Sequence, residues 1–345
     1  MLTPVVARDK THLRQLIKKA IEQYGGKCDL NHIDTSGITA MNGLFSDSIF
    51  TGDISKWDVS NVRNFANMFE TTRFNGNIAD WNVSNGRNFS GMFLNSQFNG
   101  DLSRWNPEKA TTMAYMLAYT EFEGDISDWN TECVRDMQYM FAHSEFNADI
   151  SNWDVSHVQN MNGMFMHSSF TGDISNWNTK NATTMKSMFS DNHCFNGDLS
   201  KWNVSKVQFM GRMFESNSVY NSDMSGWTVG RVEDVDQMFE NSIFKHDISG
   251  WPLNEKTFTN DMFKNNPRGL ANQSQMNSWV VRLFIQEGIP FKDPIWSAAM
   301  DGYNGMQAGL GLDPKTKVAN VVSLHAAMQS SEQYDLSQIS LDNSI

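Results

Sequence analysis

Large apolar side chains return along this chain at a fixed interval, and that interval sets its architecture. Trp57, Trp81, Trp105, Trp129, Trp153, Trp177, Trp202, Trp227 and Trp251 are spaced by 24, 24, 24, 24, 24, 25, 25 and 24 residues. Each closes the same phrase, as in DISKW, DLSRW and DISNW. A second marker runs in parallel at Phe45, Phe69, Phe93, Leu117, Phe141, Phe165, Phe189, Phe214, Phe239 and Phe263. A third follows five or six residues later, from Phe50 and Phe74 through Phe170 and Phe195 to Tyr220 and Phe244. The two 25-residue spacings come from one extra residue between second and third markers, at 191–193 and 216–218. An atypical tenth unit opens the array, with Cys28 to Ser36 aligning with Gly52 to Ser60 and Ile33 standing where Trp stands later.

Within a unit, Val62, Phe65, Met68 and Phe69 recur at helical spacing, and Ser60 precedes them as an N-cap, with Ser84, Ser156 and Ser205 in the same place. The pattern predicts a helix of about two turns, then a loop, then a short strand or extended turn near Ile54, with Trp57 starting the next bend. So small a unit cannot fold alone, because helix nucleation and backbone entropy outweigh its contacts. Stacked copies bury one another's aromatics. The expected fold is an α/β repeat solenoid, leucine-rich-repeat-like, with a short helix and a short strand or turn per unit and helical caps at both ends. Its structural core is the nine tryptophans together with Phe69, Phe93, Phe141, Phe165, Phe189, Phe214 and Phe239.

Three segments follow. Residues 1–27 hold an amphipathic capping helix at 8–25, with Leu13, Leu16, Ile17, Ala20, Ile21 and Tyr24 on one stripe, Thr11 or Asp9 at its start and Gly25 at its end. Residues 28–266 form the array. Residues 267–345 lose the period and read as helices at 274–288, 294–311 and 316–329, a C-terminal cap or a small interaction module.

The repeat phrase resembles that of the bacterial surface protein 26-residue repeat family, the BspA-like leucine-rich-repeat class. The stretch from Phe146 to Phe165, FNADISNWDVSHVQNMNGMF, departs from the family's phrase only at Ala148. The resemblance covers about residues 28–266. It implies a solenoid related to leucine-rich repeats and a role in attachment or protein interaction.

Charge narrows the partners. The chain carries a net charge of −12. Residues 1–27 hold 6 Lys and Arg against 2 Asp and Glu, whereas residues 28–267 hold 16 against 30. An acidic body repels phosphate, so no nucleic acid is expected; the charge serves either solubility or a basic protein surface. The expected partner is a protein, with host and cell-surface proteins among the candidates. The N-terminal residues contain no secretory apolar run, and no 18-residue apolar stretch occurs, so no membrane insertion is expected. The reading is cytoplasmic as synthesised, with signal-independent export or a cell-surface location left open.

Candidate chemistry is sparse. Asp53, Asp101, Asp125, Asp149, Asp173, Asp198, Asp223 and Asp247, with Asn77 in register, form a ladder that reads as turn chemistry in preference to Ca²⁺ ligation. His143 and His167 lie one repeat apart and can neighbour each other, without a third ligand. Cys28, Cys133 and Cys194 form no CxxC pair. Gly302, Gly305, Gly309 and Gly311 lack the P-loop Lys-Ser/Thr, and no GxSxG phrase occurs. No catalytic residue, metal or cofactor is expected, and the chain reads as a non-enzyme. The variable positions before each Trp are the candidate binding face: Lys56, Asp80, Arg104, Asp128, Asn152, Asn176 and Lys201. The alternatives are an effector activity in residues 268–345 or a structural part of an assembly.

Overall fold

The backbone of the repeat follows from where its N–H groups find partners. In the unit around Phe69, the N–H groups of Phe65, Asn67, Phe69 and Thr71 donate to the carbonyls of Asn88, Ser90, Met92 and Leu94 in the next unit, at 2.8–2.9 Å. The N–H groups of Met68 and Glu70 turn back to Phe65 and Asn67 three residues earlier. The same alternation recurs in each later unit as far as that of Phe239, for example Met137, Tyr139, Phe141 and His143 donating to Asn160, Asn162, Met164 and Met166. The computed structural model describes residues 3–246, 248, 251–253 and 257–266, and over these the chain is a stack of parallel rungs. Single parallel bridges join Ala40 to Asn64, Asn64 to Asn88, and so on to Asp234 and Phe258.

The helix expected at Ser60–Phe69 is therefore a run of turns. Two residues per unit, four apart, adopt a left-handed backbone: Asn67 and Thr71, Gly91 and Asn95, Tyr115 and Tyr119, Tyr139 and His143, Gly163 and His167. A left-handed residue every fourth position breaks an α-helix, yet a chain of such turns still points Val62, Phe65, Met68 and Phe69 inward. Helix and turn series share the inward spacing and differ in the destination of the N–H. Ser60 caps no helix. Its own N–H donates to Asp58 Oδ1 at 2.9 Å, and Asn82, Asp154 and Asn203 do the same for Ser84, Ser156 and Ser205. Of the short strand or extended turn expected near Ile54, the structure holds the turn, closed by Trp57 N–H on the Ile54 carbonyl at 3.1 Å.

The interior consists of ring columns. Phe45, Phe69 and Phe93 stack at 5.5 and 5.6 Å between centroids. Trp81, Trp105, Trp129 and Trp153 stack at 6.5, 6.4 and 6.3 Å. Every indole N–H reaches back a full turn to a backbone carbonyl: Trp57 to Leu30, Trp153 to Ile126, Trp202 to Ile174 and Trp251 to Met224, at 3.0–3.1 Å. A buried indole thus keeps its hydrogen bond while its rings supply the apolar area, which is what a buried Trp requires.

The corner before the third marker sets the unit's length. In 24-residue units a buried Ser or Thr holds it, as where Ser144 Oγ accepts from Phe146 N–H at 3.2 Å. In the two 25-residue units an Asn stands there. Asn192 Oδ1 accepts from Cys194 and Phe195 N–H, and Asn217 Oδ1 from Val219 and Tyr220 N–H.

The first rung is covered by strand β1 (Val5–Val6), helix α1 (Lys10–Tyr24) and strand β2 (Ile33–Asp34), with β1 pairing parallel to β2. Asp9 caps α1, accepting from His12 N–H at 2.8 Å, and Gly25 ends it at φ 81°. Leu13, Ile17 and Ala20 are buried against the array, and the Arg14 guanidinium donates to the Gly43 carbonyl at 3.0 Å. The expected C-terminal helices and cap, residues 267–345, lie outside the described residues, as does Asp247. Among the described residues no helix is long and apolar enough to cross a membrane.

Candidate binding face

Left-handed backbone suits Gly, and to a lesser degree Asn and Asp; for other residues it costs about 1–2 kcal/mol each. Gly43, Asn67, Gly91, Gly163 and Asp261 stand at the first such position of their units and Asp47, Asn95, Asp191, Asn241 and Asn265 at the second, while Thr71, Ser187, Arg212, Ser216 and Gln237 stand at others. Three consecutive units place aromatic rings there instead: Tyr115, Tyr119, Tyr139, His143 and His167. A bulky residue at positive φ is an outlier, and such strain concentrates where a surface has work beyond folding.

These residues form two short ladders on the outside of the stack. Tyr115 and Tyr139 stack at 4.9 Å and 16°. Tyr119, His143 and His167 stack at 4.3 and 4.4 Å. Gly163 makes room for the first ladder, since a Cβ there would stand 2.2 Å from Tyr139 Cε1. Ring stacking returns about 0.5–1.5 kcal/mol per pair, which offsets part of the backbone cost. Tyr115 remains 36% exposed and Tyr119 51%.

Polar groups frame the ladders. His167 Nε2 lies 3.1 Å from Asp191 Oδ2, and Glu145 accepts from Ser169 Oγ at 2.6 Å. Burial holds the His143 imidazole below its ordinary basicity, and the neighbouring His167 adds to this against Asp191. Burial also raises the Tyr115 phenol, with Tyr139 and Asp136 contributing. Among the described residues no three His, Cys, Asp or Glu side chains could hold a metal.

The sequence-predicted positions fall elsewhere. Trp57, Trp81, Trp105, Trp129, Trp153, Trp177, Trp202, Trp227 and Trp251 are buried, as are the seven phenylalanines of the second-marker column. Lys56, Asp80, Arg104, Asp128, Asn152, Asn176 and Lys201 are exposed, one per rung, at the turn leading into each Trp. Arg104 and Asp80 pair at 2.5 Å with both side chains largely in water, a contact of little energetic weight. The structure does not gather this column with the aromatic ladders. The Asp ladder serves its turns: Asp53, Asp101, Asp149 and Asp198 each accept from the Ser N–H two residues on, at 2.8–2.9 Å. Asn77 does so for Ala79. Cys28 is buried and Cys133 and Cys194 are exposed, all as free thiols.

The ladders were readable in principle. Gly, Asn and Asp at half of the places two residues either side of the second marker point to positive φ, and the run of Tyr and His at those places in three consecutive units stands apart from the Thr, Ser, Arg and Gln found elsewhere.

No characterised protein and no solved structure was found to be similar to the chain. A family model does match, three times over, across residues 11–121, 97–196 and 166–279. The tandem repeats described above are thus those of a recognised family, and the chain belongs to it: the family described as Mycoplasma protein of unknown function, DUF285.

Proposed function

We propose that this chain is a non-catalytic protein-interaction module that grips its partner with the left-handed face of the stack, anchored by Tyr115, Tyr119, Tyr139 and His143. The observation that carries this reading is the confinement of aromatic rings at left-handed positions to three consecutive units, stacked from rung to rung, where the other units carry Gly, Asn, Asp, Thr, Ser, Arg or Gln. Tyrosine is enriched at binding hot spots because it offers large, rigid contact area with a polar tip. The constant interior and the varied outer columns support the same reading, since a repeat array can change its surface without changing its core. The resemblance of the repeat phrase to the BspA-like class supports attachment as the setting and a leucine-rich-repeat-like solenoid as the scaffold.

The test is affinity capture on the immobilised full chain from cell extracts, comparing three forms. Tyr115→Asn with Tyr139→Asn is expected to abolish specific capture, because Asn accepts the left-handed backbone and removes only the rings. Lys56→Ala with Arg104→Ala and Lys201→Ala is expected to leave capture intact. The reverse pattern would move the binding face to the Lys56 column. Unchanged capture in both would remove the array from recognition.

A further inference from the structure

The order of residues along each rung fixes what lies on either side of the aromatic ladders. Arg63, Arg87 and Arg135 stand just before the bridging positions, on one margin of the left-handed face, and all three are exposed. Glu121 and Glu145 stand just after the second left-handed position, on the other margin, and are also exposed. Between them lie Tyr115 and Tyr139, then Tyr119 and His143. The Tyr139 rung therefore has a guanidinium margin at Arg135, an aromatic centre and a carboxylate margin at Glu145, while the Tyr115 rung carries Thr111 in place of the guanidinium.

Such a profile is self-complementary under one particular rotation. A half-turn about a line parallel to the stack axis brings a second copy face to face with the first, rung level with rung, and exchanges left for right. The carboxylate margin of each copy then lies over the guanidinium margin of the other. We propose that this face pairs with the same face of a second copy of the chain, in a parallel two-fold dimer centred on the rungs of Tyr115 and Tyr139. The proposal rests on reading the Tyr and His ladders as a binding surface and names a second copy as the occupant.

Level pairing sets Arg135 against Glu145 of the second copy, and Arg87 reaches Glu121 one rung along. Two opposed faces of this kind form an isologous contact, which closes at two copies and grows no filament. Rungs spaced about 4.8 Å apart make the seven from Tyr115 to Asp261 roughly 30 Å long. With five outward positions across, they offer about 450 Å², below the roughly 800 Å² per partner of a stable interface and in the range of a weak, concentration-dependent one. One feature works against the far end: Arg73 occupies the carboxylate margin opposite Arg63 of the second copy. The contact is therefore strongest from the Tyr115 rung onward. Beyond about 8 Å, the mutual repulsion of two acidic copies is screened at physiological ionic strength.

The experiment is light scattering and sedimentation of the full chain over a wide concentration range at physiological salt. A concentration-dependent dimer is expected. Arg135→Glu alone and Glu145→Arg alone are each expected to weaken it at least tenfold, and the two together to restore it, since the exchanged pair is again complementary. Arg73→Glu is expected to tighten it, and Tyr115→Asn with Tyr139→Asn to abolish it. Unchanged thermal melts of each variant establish that folding is intact. A chain that stays monomeric at every concentration overturns the proposal, as does a dimer indifferent to these substitutions. A monomer that still captures a foreign protein through Tyr115 and Tyr139 overturns the dimer alone. Loss of all dependence on the tyrosines overturns the binding face as well.

Discussion

The inner and outer sides of each rung solve opposite problems with the same residue classes. Inside, the Trp column repeats one arrangement nine times, and every indole N–H meets a carbonyl of the preceding unit. Outside, the left-handed positions share one backbone and carry Gly, Asn, Asp, Thr, Ser, Arg, Gln, Tyr or His in turn. An interior ring is held by two neighbours and a hydrogen bond, so any change propagates into adjacent rungs. An exterior ring is held by stacking, with one contact to Asp191 at His167, so its loss stays local. Stability and variation are thereby assigned to different sides of one chain.

The sharpest way to break that contrast is to remove a ring on each side. Trp153→Ala is expected to cost about 3–5 kcal/mol, the range for deleting a large buried aromatic. Trp153→Phe is expected to cost less but to leave the Ile126 carbonyl without its indole donor. Urea unfolding monitored at equilibrium measures both. A cost for Trp153→Ala no larger than that for Tyr115→Asn would abolish the distinction between the two sides.

Acid sharpens the contrast, because the outward turns titrate. Backbone and side-chain hydrogen bonds from the following Ser hold the carboxyls of Asp53, Asp101, Asp125, Asp149, Asp173, Asp198 and Asp223 below the usual range. A carboxyl depressed in the fold contributes stability above its unfolded value, near pH 4, and loses it as pH falls through the folded value. Asp136 and Glu215, raised chiefly by burial, oppose this trend. The depressed set is the larger, so the array is expected to lose stability steeply below about pH 4. Asp101→Asn with Asp173→Asn, following the example of Asn77, is expected to flatten the acid limb of a melting-temperature profile while leaving neutral pH nearly unchanged.

The smallest effect concerns an exception inside. Tyr220 takes the place of the third-marker Phe, stacked 3.9 Å from Phe214, and its hydroxyl is buried without a hydrogen-bond partner. Desolvation pushes its phenol far above the ordinary range. Tyr220→Phe is expected to stabilise the chain by about 1 kcal/mol by removing an unsatisfied polar group. A loss of stability on calorimetry would show that the hydroxyl has a role in the column.

Much of this was legible in the residues, and the part that was not has a common cause. The period, the Trp and Phe columns and the covering helix follow from apolar spacing, which reports the side of the chain a residue faces. Spacing does not report the destination of an N–H. Val62, Phe65, Met68 and Phe69 face inward as on a helix, while alternate amides serve the next rung, and the helix reading failed on that point. The hydrogen bond from Trp57 to the Leu30 carbonyl crosses units and leaves no local trace either. The aromatic ladders are hard to read for a related reason: the places before each Trp vary openly in charge, whereas the ladder positions differ from small and polar residues in other units only by carrying rings.

The polar corner before the third marker has a consequence for how such chains change over generations. A Ser or Thr hydroxyl reaches the amide two residues on, whereas an Asn carboxamide, one atom longer, reaches the third. A one-residue insertion arriving without the Asn leaves the buried Phe amide unserved. An Asn arriving without the insertion still serves the amide two residues on, as Asn192 does for Cys194. The substitution can therefore precede the insertion, whereas the insertion cannot precede the substitution. A change of period is thus an ordered pair of events, and duplication of a whole unit copies both at once, as the adjacent corners of Asn192 and Asn217 would record.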